Sequence, residues 1–249
     1  MENSSDEVIK QVLVNSNENQ IKLLCSTNKK FSSLCRDTRF IEDVYHQKVE
    51  NIMSQDIINL KEVNMSWKEF YNRVLNFKNN PLSRDAYCRL GKLLEIKLYA
   101  NMNPPILPTD DGTYWAARNG HLEVLKYLVS LGIRLTVNEA DSAAINGRLD
   151  ILKYLVSLGI LPTVYGANWA AANGYLKTLK YLVSIGILPT VDGADFAAMN
   201  GYFEVLKYIV SLGILPTRYG VDYTAGNGHL KVLKYLVSLS IFPTHYGAN

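Results

Sequence analysis

The sequence predicts an all-α protein in two parts, a solenoid of short helix pairs over residues 81–249 preceded by a small helical module over residues 1–80. Three observations predict it. Asn-Gly recurs at 119, 146, 173, 200 and 227, always 27 residues apart, inside near-copies of one text: WAARNGHLEVLKYLVSLGI, SAAINGRLDILKYLVSLGI, WAAANGYLKTLKYLVSIGI, FAAMNGYFEVLKYIVSLGI and YTAGNGHLKVLKYLVSLSI. Apolar residues within each copy keep a helical spacing, without the alternation a strand needs. Residues 1–81 have no echo at that period, and turn formers cluster at Asn79-Asn80-Pro81, where the boundary is placed.

In the first part, Val8, Ile9, Val12 and Leu13 make one short apolar face. The polar run Asn15-Ser16-Asn17-Glu18-Asn19 reads as a loop, after which Ile21, Leu24, Cys25, Phe31, Leu34 and Cys35 continue at near-helical intervals. Three small helices follow from this pattern. The stretch from Ile21 to Phe40, with Leu23-Leu24-Cys25, Asn28-Lys29-Lys30-Phe31 and Leu34-Cys35-Arg36-Asp37 in it, resembles the middle of an F-box. Met65-Ser66-Trp67-Lys68-Glu69-Phe70-Tyr71 is similar to a segment that trails F-box-like domains in large DNA viruses. The resemblance covers residues 6–75; the opening Leu-Pro of the motif is absent, and Ile41 stands where a tryptophan is common. It implies docking onto the small adaptor subunit of a cullin-type ubiquitin ligase, an apolar helical face entering the adaptor's groove. Ile9, Val12, Leu13, Leu24, Cys25 and Phe31 are expected to make that contact. Each also fits the module's own core, because so small a domain cannot both bury and expose every apolar group.

Residues 82–105 are expected to form a degenerate first unit that caps the stack, since Ile106-Leu107-Pro108-Thr109 is in register with Ile160-Leu161-Pro162-Thr163. Lys92, Glu95 and Lys97 are then expected to keep its outer face wet. Five repeats follow over residues 106–240. In each, a small-residued helix such as Trp169-Ala170-Ala171-Ala172 ends at Asn-Gly, whose glycine suits a left-handed turn. A second helix carries Leu122, Leu125, Leu128 and Val129 on one face and Glu123, Lys126 and Ser130 on another. Gly132, Gly159, Gly186 and Gly213 stand where these helices end, and Pro162, Pro189, Pro216 and Pro243 forbid continuation. One such pair cannot bury its apolar stripe alone, so copies must stack, and the alanines at 116–117, 143–144, 170–171 and 197–198 allow close approach.

The recurring A-A-x-N-G-H-L-E-V-L-K-Y-L-V-S-x-G resembles the second half of an ankyrin repeat. That resemblance implies recognition of proteins by a stacked surface. The period is about six residues short of that family's and lacks its Thr-Pro-Leu-His start, so the projecting β-hairpin finger is expected to be shortened or lost. Tyr246-Gly247-Ala248-Asn249 copies Tyr165-Gly166-Ala167-Asn168, the expected start of a truncated sixth unit over 241–249. An uncapped end of this kind reads either as a truncation or as a surface for oligomerisation.

Composition narrows the function. With 48% hydrophobic and 20% charged residues the chain is globular, and its net charge of +3 supplies no bulk field for a phosphate backbone, so no nucleic acid is expected. No apolar stretch reaches the roughly 18 residues of a membrane span, and the polar start Met1-Glu2-Asn3-Ser4-Ser5-Asp6-Glu7 is unlike a leader, so no membrane is expected. Cys25, Cys35 and Cys88 are odd in number and absent from the five repeats, which reads as a reducing compartment. The expected location is the cytoplasm, with the nucleus as the other option. The gene style resembles that of giant DNA viruses, which implies a host cell's cytoplasm.

Chemistry has no foothold in the motifs. His121 and His229 share one repeat position and read as structural, His46 and His245 are isolated, and no His/Cys spacing fits a tetrahedral metal site. Neither G-x-x-x-x-G-K-[ST] nor G-x-G-x-x-G occurs. No enzyme, catalytic residue, metal or cofactor is therefore expected. The columns Lys126, Lys153, Lys180 and Tyr127, Tyr154, Tyr181 read as a packed outer ridge, and Trp115, Trp169, Phe196 and Tyr223 as inter-repeat packing. Target binding is expected where residues vary inside the constant frame: Asp111, Asn138, Tyr165, Asp192 and Tyr219 in one column, Arg118 and Met199 in another, and Arg218 beside them. The expected function is an adaptor whose first part holds a ligase subunit while its solenoid captures an unknown target protein. A plain protein-binding scaffold with no ligase is the alternative.

Overall fold

The computed structural model describes residues 4–27 and 29–244, and every regular element among them is helical. Asn28 and the expected sixth-unit residues 245–249, His245 with them, lie outside the described residues. The chain divides into two compact units, one running to Tyr87 and resuming over Lys92–Leu107, the other made of Cys88–Gly91 and the residues from Pro108 onward.

The first unit opens with α1 (Ser4–Asn15), α2 (Glu18–Thr27), α3 (Lys29–Arg36) and α4 (Thr38–Ile52). Ile9, Leu13, Val14, Ile21 and Val44 form its core, and Leu24, Cys25, Phe31, Leu34, Cys35 and Phe40 pack against it half-buried. Two polar devices fix the helix ends. Asp37 caps α4 by accepting the N–H groups of Arg39 and Phe40, and the Lys48 ammonium donates to the carbonyls of Val14 and Ser16, where α1 leaves its last acceptors unmatched. Burial lowers the Lys48 pKa, while nearby Glu18 opposes that shift. Cys25 and Cys35 are joined in a disulfide that ties α2 to α3. Cys88 is buried outside the pair.

The unit continues with α5 (Gln55–Ile58), α6 (Trp67–Asn79), α7 (Arg84–Arg89) and α8 (Leu93–Ala100). Ser66 starts α6 by accepting the Glu69 N–H, so the Ser-Trp-Lys-Glu string is a helix-initiation signal. Trp67 stacks on His46 with centroids 4.0 Å apart, which gives that isolated histidine a packing role. The expected capping unit at 82–105 separates differently from the sequence reading, since all but residues 88–91 of it go with the first unit. Rings hold it there: Phe77 of α6 meets Tyr99 at 4.8 Å and Tyr87 at 5.9 Å. Glu95, expected on a wet face, is instead buried and takes both Nε and Nη2 of Arg73.

The second unit is five helix pairs: α9 (Asp110–Asn119) with α10 (Leu122–Ser130), α11 (Val137–Ile145) with α12 (Leu149–Ser157), α13 (Val164–Ala172) with α14 (Leu176–Ser184), α15 (Val191–Met199) with α16 (Phe203–Ser211), and α17 (Arg218–Gly226) with α18 (Leu230–Ser238). First helices pack on first helices through Ala116, Ala143, Ala170 and Ala197, all fully buried, because a methyl group lets backbones approach as no larger side chain would. The apolar stripes of the second helices, such as Ile151, Leu152 and Leu155, close the core beneath them. Lys153 lies over the Tyr181 ring and Lys180 over Tyr208, so the outer ridge is knitted from one repeat to the next. Residues 131–136 and their equivalents join the pairs without strands, in agreement with the loss of the finger.

Each second helix ends on a residue of left-handed conformation. At Gly132 (φ 84°) the N–H reaches the Val129 carbonyl while Ile133 reaches back to Leu128, and the same bonds recur after α18 with Ser240 at φ 62° in the glycine's place. A side chain there is strained against its own backbone. Ser240→Gly is expected to raise the unfolding free energy by about 1 kcal/mol in urea titrations; no gain would mean that the last turn relaxes freely.

Candidate protein-binding surface

The first helices of the solenoid are fixed at both ends by side chains reaching from one repeat to the next. At their N-termini, the Asp141 carboxylate accepts the Thr163 N–H at 2.7 Å and its O–H at 2.8 Å. Asp195 does the same for Thr217, and Asp222 for Thr244, always across 22 residues. Asn168 makes the neutral version, accepting the Thr190 N–H and donating to its Oγ1, both at 2.8 Å. The carboxylate or amide meets a glycine of the next helix: a Cβ at Gly166 would stand 2.6 Å from Asp141 Oδ1, and one at Gly193 2.8 Å from Asn168 Oδ1. The first repeat solves the problem in reverse. Tyr114 holds the aspartate position, Glu139 holds the glycine position, and Glu139 itself caps Thr136 through both N–H and O–H at 2.8 Å while accepting the Thr113 hydroxyl at 2.7 Å.

At the opposite ends, Asn173, Asn200 and Asn227 donate to the carbonyls of Ile145, Ala172 and Met199, each at 2.8–2.9 Å. Asn119 and His121 similarly meet the Arg89 carbonyl at 2.8 and 3.0 Å. The exception is Asn146, which turns back to Ser142, and there Arg148 Nε takes the Arg118 carbonyl instead. Met199 and Arg118 thus serve the frame through their backbone as well as offering variable side chains. His121 packs its ring where a Cβ of Gly91 would be, and His229 does so at Gly201, which accounts for both histidines structurally.

Held this way, the first helices present one face outward. Asp111, Asn138, Tyr165, Asp192 and Tyr219 are all exposed along it, Tyr165 at 58% and Tyr219 at 57%. Arg218 is exposed beside Tyr219, whereas Met199 is half-buried and Arg118 leans on its own helix, over the Trp115 ring with Nη1 3.4 Å from the Tyr114 hydroxyl. Trp169 stacks on Phe196 at 5.5 Å and 25°, as inter-repeat packing requires, yet Trp169 and Tyr223 remain exposed. Tyr165, Trp169, Phe196, Tyr219 and Tyr223 therefore form an aromatic stripe across the third to fifth repeats. The Tyr219 phenol is raised above its ordinary value by its hydrogen bond with Tyr223.

The first two repeats differ in chemistry. Asp110, Asp111, Tyr114, Asn138, Glu139, Asp141, Ser142 and Tyr165 line a cleft of about 400 Å³, so Asp111, Asn138 and Tyr165 of the variable column meet there. Among the described residues no group of three His, Cys, Asp or Glu is arranged to hold a metal ion. In the first unit, Leu13 is fully buried and Ile9 is 8% exposed, while Leu24, Cys25 and Phe31 pack on the same core and Cys25 is in the disulfide. Of the residues expected to face a ligase subunit, Val12 alone is exposed, at 41%; Val8 at 62% accompanies it one turn away, on a shallow groove with Gln11 and Gln20. The apolar surplus that sequence spacing displayed went into the module's core.

Residues 114–156 match the family model for ankyrin repeats in many copies. That stretch runs from within α9 to within α12. The human ASB11 ankyrin repeat domain superposes with a TM-score of 0.52 at 16% identity, covering 68% of this chain and 85% of that one. The maize pentatricopeptide repeat protein PPR10 gives 0.39 at 14% identity over 98% of this chain and 45% of its own, and 0.35 in its complex with an RNA element. Comparison with curated sequences returns no match. No described helix is long and apolar enough to cross a membrane.

The Asp–Thr bonds between helix pairs give a test. Burial raises the Asp195 pKa, opposed by the bonds from Thr217 and assisted by Asp192. A folded-state acid pKa above the unfolded one means that the folded chain holds the proton more tightly, so stability from this group is lost as pH rises through that window. Asp195→Asn, which copies Asn168, is expected to match the wild type near pH 4 and to exceed it increasingly toward about pH 7 in denaturant titrations. Asp195→Ala leaves the Thr217 N–H unmatched and is expected to cost about 1–3 kcal/mol; equal stability of the Asn and Ala variants would refute the ladder.

Proposed function

We propose that the chain is a two-part adaptor: the first unit docks the small adaptor subunit of a cullin-type ubiquitin ligase, and the ankyrin repeats capture a target protein. The mechanism is proximity. One chain carrying both surfaces raises the effective concentration of target at the ligase and performs no chemistry itself. The observation that carries the reading is a division of labour in exposure: an aromatic stripe open on the second unit, and Val8 with Val12 open on α1 of the first. Apolar side chains four residues apart on one helical face are what helix-in-groove docking uses. The F-box resemblance supplies the ligase side, and the cytoplasm or nucleus is where such an adaptor would act.

A second reading, an ankyrin scaffold with no ligase, is favoured by one specific fact: Ile9, Leu13, Leu24 and Phe31 are spent on the module's own core. The two readings separate cleanly. Purified ligase adaptor subunit is expected to co-elute with the full chain and to lose at least about tenfold in affinity for Val8→Asp plus Val12→Asp, a change of roughly 1.4 kcal/mol or more. Both positions are exposed, so the variant should keep its helical circular dichroism. Absence of binding by the folded wild type would leave the plain scaffold.

A further inference from the structure

The aromatic column of the first helices reads Trp115, Ser142, Trp169, Phe196 and Tyr223, one residue per repeat. Only the second repeat breaks it. With a hydroxymethyl where its neighbours carry rings, the column has a gap, and the cleft of about 400 Å³ lies there. Ser142 is part of the cleft lining and 1% exposed, and its Oγ has no hydrogen-bond partner. A buried hydroxyl without a partner forfeits what it would gain from water. Asp110, Asp111, Glu139 and Asp141 line the cleft, the last two with their oxygens already accepting threonine N–H and O–H groups, and no Lys, Arg or His lines it. Tyr114 and Tyr165 add aromatic surface.

We propose that this cleft takes one arginine side chain of the captured protein. The guanidinium is planar and carries five N–H donors in a fixed fork, which suits several carboxylates at once together with one unmet hydroxyl acceptor. Its faces are apolar enough to lie on a tyrosine ring. An ammonium is a compact, more strongly hydrated charge and uses neither the fork nor the rings. An apolar side chain would leave the carboxylates to be desolvated without compensation. The aromatic stripe begins at Tyr165, which lines the cleft and meets Trp169, so the captured segment would present apolar residues beside its arginine. This inference rests on the reading of the ankyrin repeats as the target-capturing part, and it names the chemistry of that target.

The test uses the full chain, isotope-labelled for amide NMR, and three peptides: acetyl-Gly-Gly-Arg-Gly-Gly-amide, its lysine counterpart and its citrulline counterpart, which keeps the shape and removes the charge. The arginine peptide is expected to give saturable shifts confined to residues 110–114 and 136–145 and to Tyr165. Binding is expected to weaken at least about tenfold with citrulline and several-fold with lysine. Ser142→Trp restores the ring found in two other repeats and should abolish binding with helical content unchanged. Asp111→Asn, at an exposed position, should weaken it several-fold without touching the fold. Equal binding of arginine and citrulline, undiminished binding to Ser142→Trp, shifts elsewhere, or no binding at millimolar peptide would each overturn the proposal. None of these outcomes bears on the docking of the ligase subunit, whose residues lie on α1.

Discussion

Two backbones must come within reach of one short polar side chain at most junctions of this solenoid. The Thr163 and Thr217 N–H groups start first helices and would otherwise be unmatched, and each is met by an aspartate of the preceding repeat. That reach is possible because the opposing residue has no side chain: Gly166 and Gly220 leave room that a Cβ would fill. One short polar residue thus does what an N-cap does within a helix, but across repeats, so the start of each first helix is set by the middle of its neighbour. The alanine contacts and the asparagine–carbonyl bonds depend on that spacing.

A frame fixed through backbone groups frees the side chains between its two rows of bonds. Asn200 holds Ala172, and Asn227 holds Met199, by a carbonyl oxygen that every residue type possesses, so the side chain there can change without loss of the bond. The same logic covers the exposed column from Asp111 to Tyr219. Acidic chemistry in the first two repeats and aromatic chemistry in the last three are therefore two settings of one scaffold, which is how a repeat array stores specificity at little cost to folding.

Much of this was legible in the residues. The Asn-Gly period, the alanine pairs and the Gly-Pro punctuation predict helix pairs, turns and stacking, because each reflects local backbone chemistry. The aspartate–threonine bonds were not read, although the signal was present: Asp141, Asn168, Asp195 and Asp222 stand in one column, with Gly166, Gly193 and Gly220 each 25 residues further on. Tyr114 and Glu139 depart from both columns together, a compensation inside one chain. Other features needed three dimensions. Spacing places Ile9, Leu13 and Val12 on one face but cannot say which are used internally. Cys25 and Cys35 meet only because α2 and α3 fold back on each other, and Glu95 is buried because Arg73 waits for it.

The central claim is that capping across repeats and the room opposite it are one unit, and a double-mutant cycle at the natural exception tests it most directly. Tyr114→Asp alone would press a second carboxylate on Glu139, and Glu139→Gly alone would leave the Thr136 N–H without its acceptor. Each single variant is expected to lose about 1–2 kcal/mol of stability, while Tyr114→Asp with Glu139→Gly rebuilds the arrangement of the other repeats and should recover most of the summed loss, a coupling of about 2–3 kcal/mol. Losses that simply add in the double variant would contradict the account.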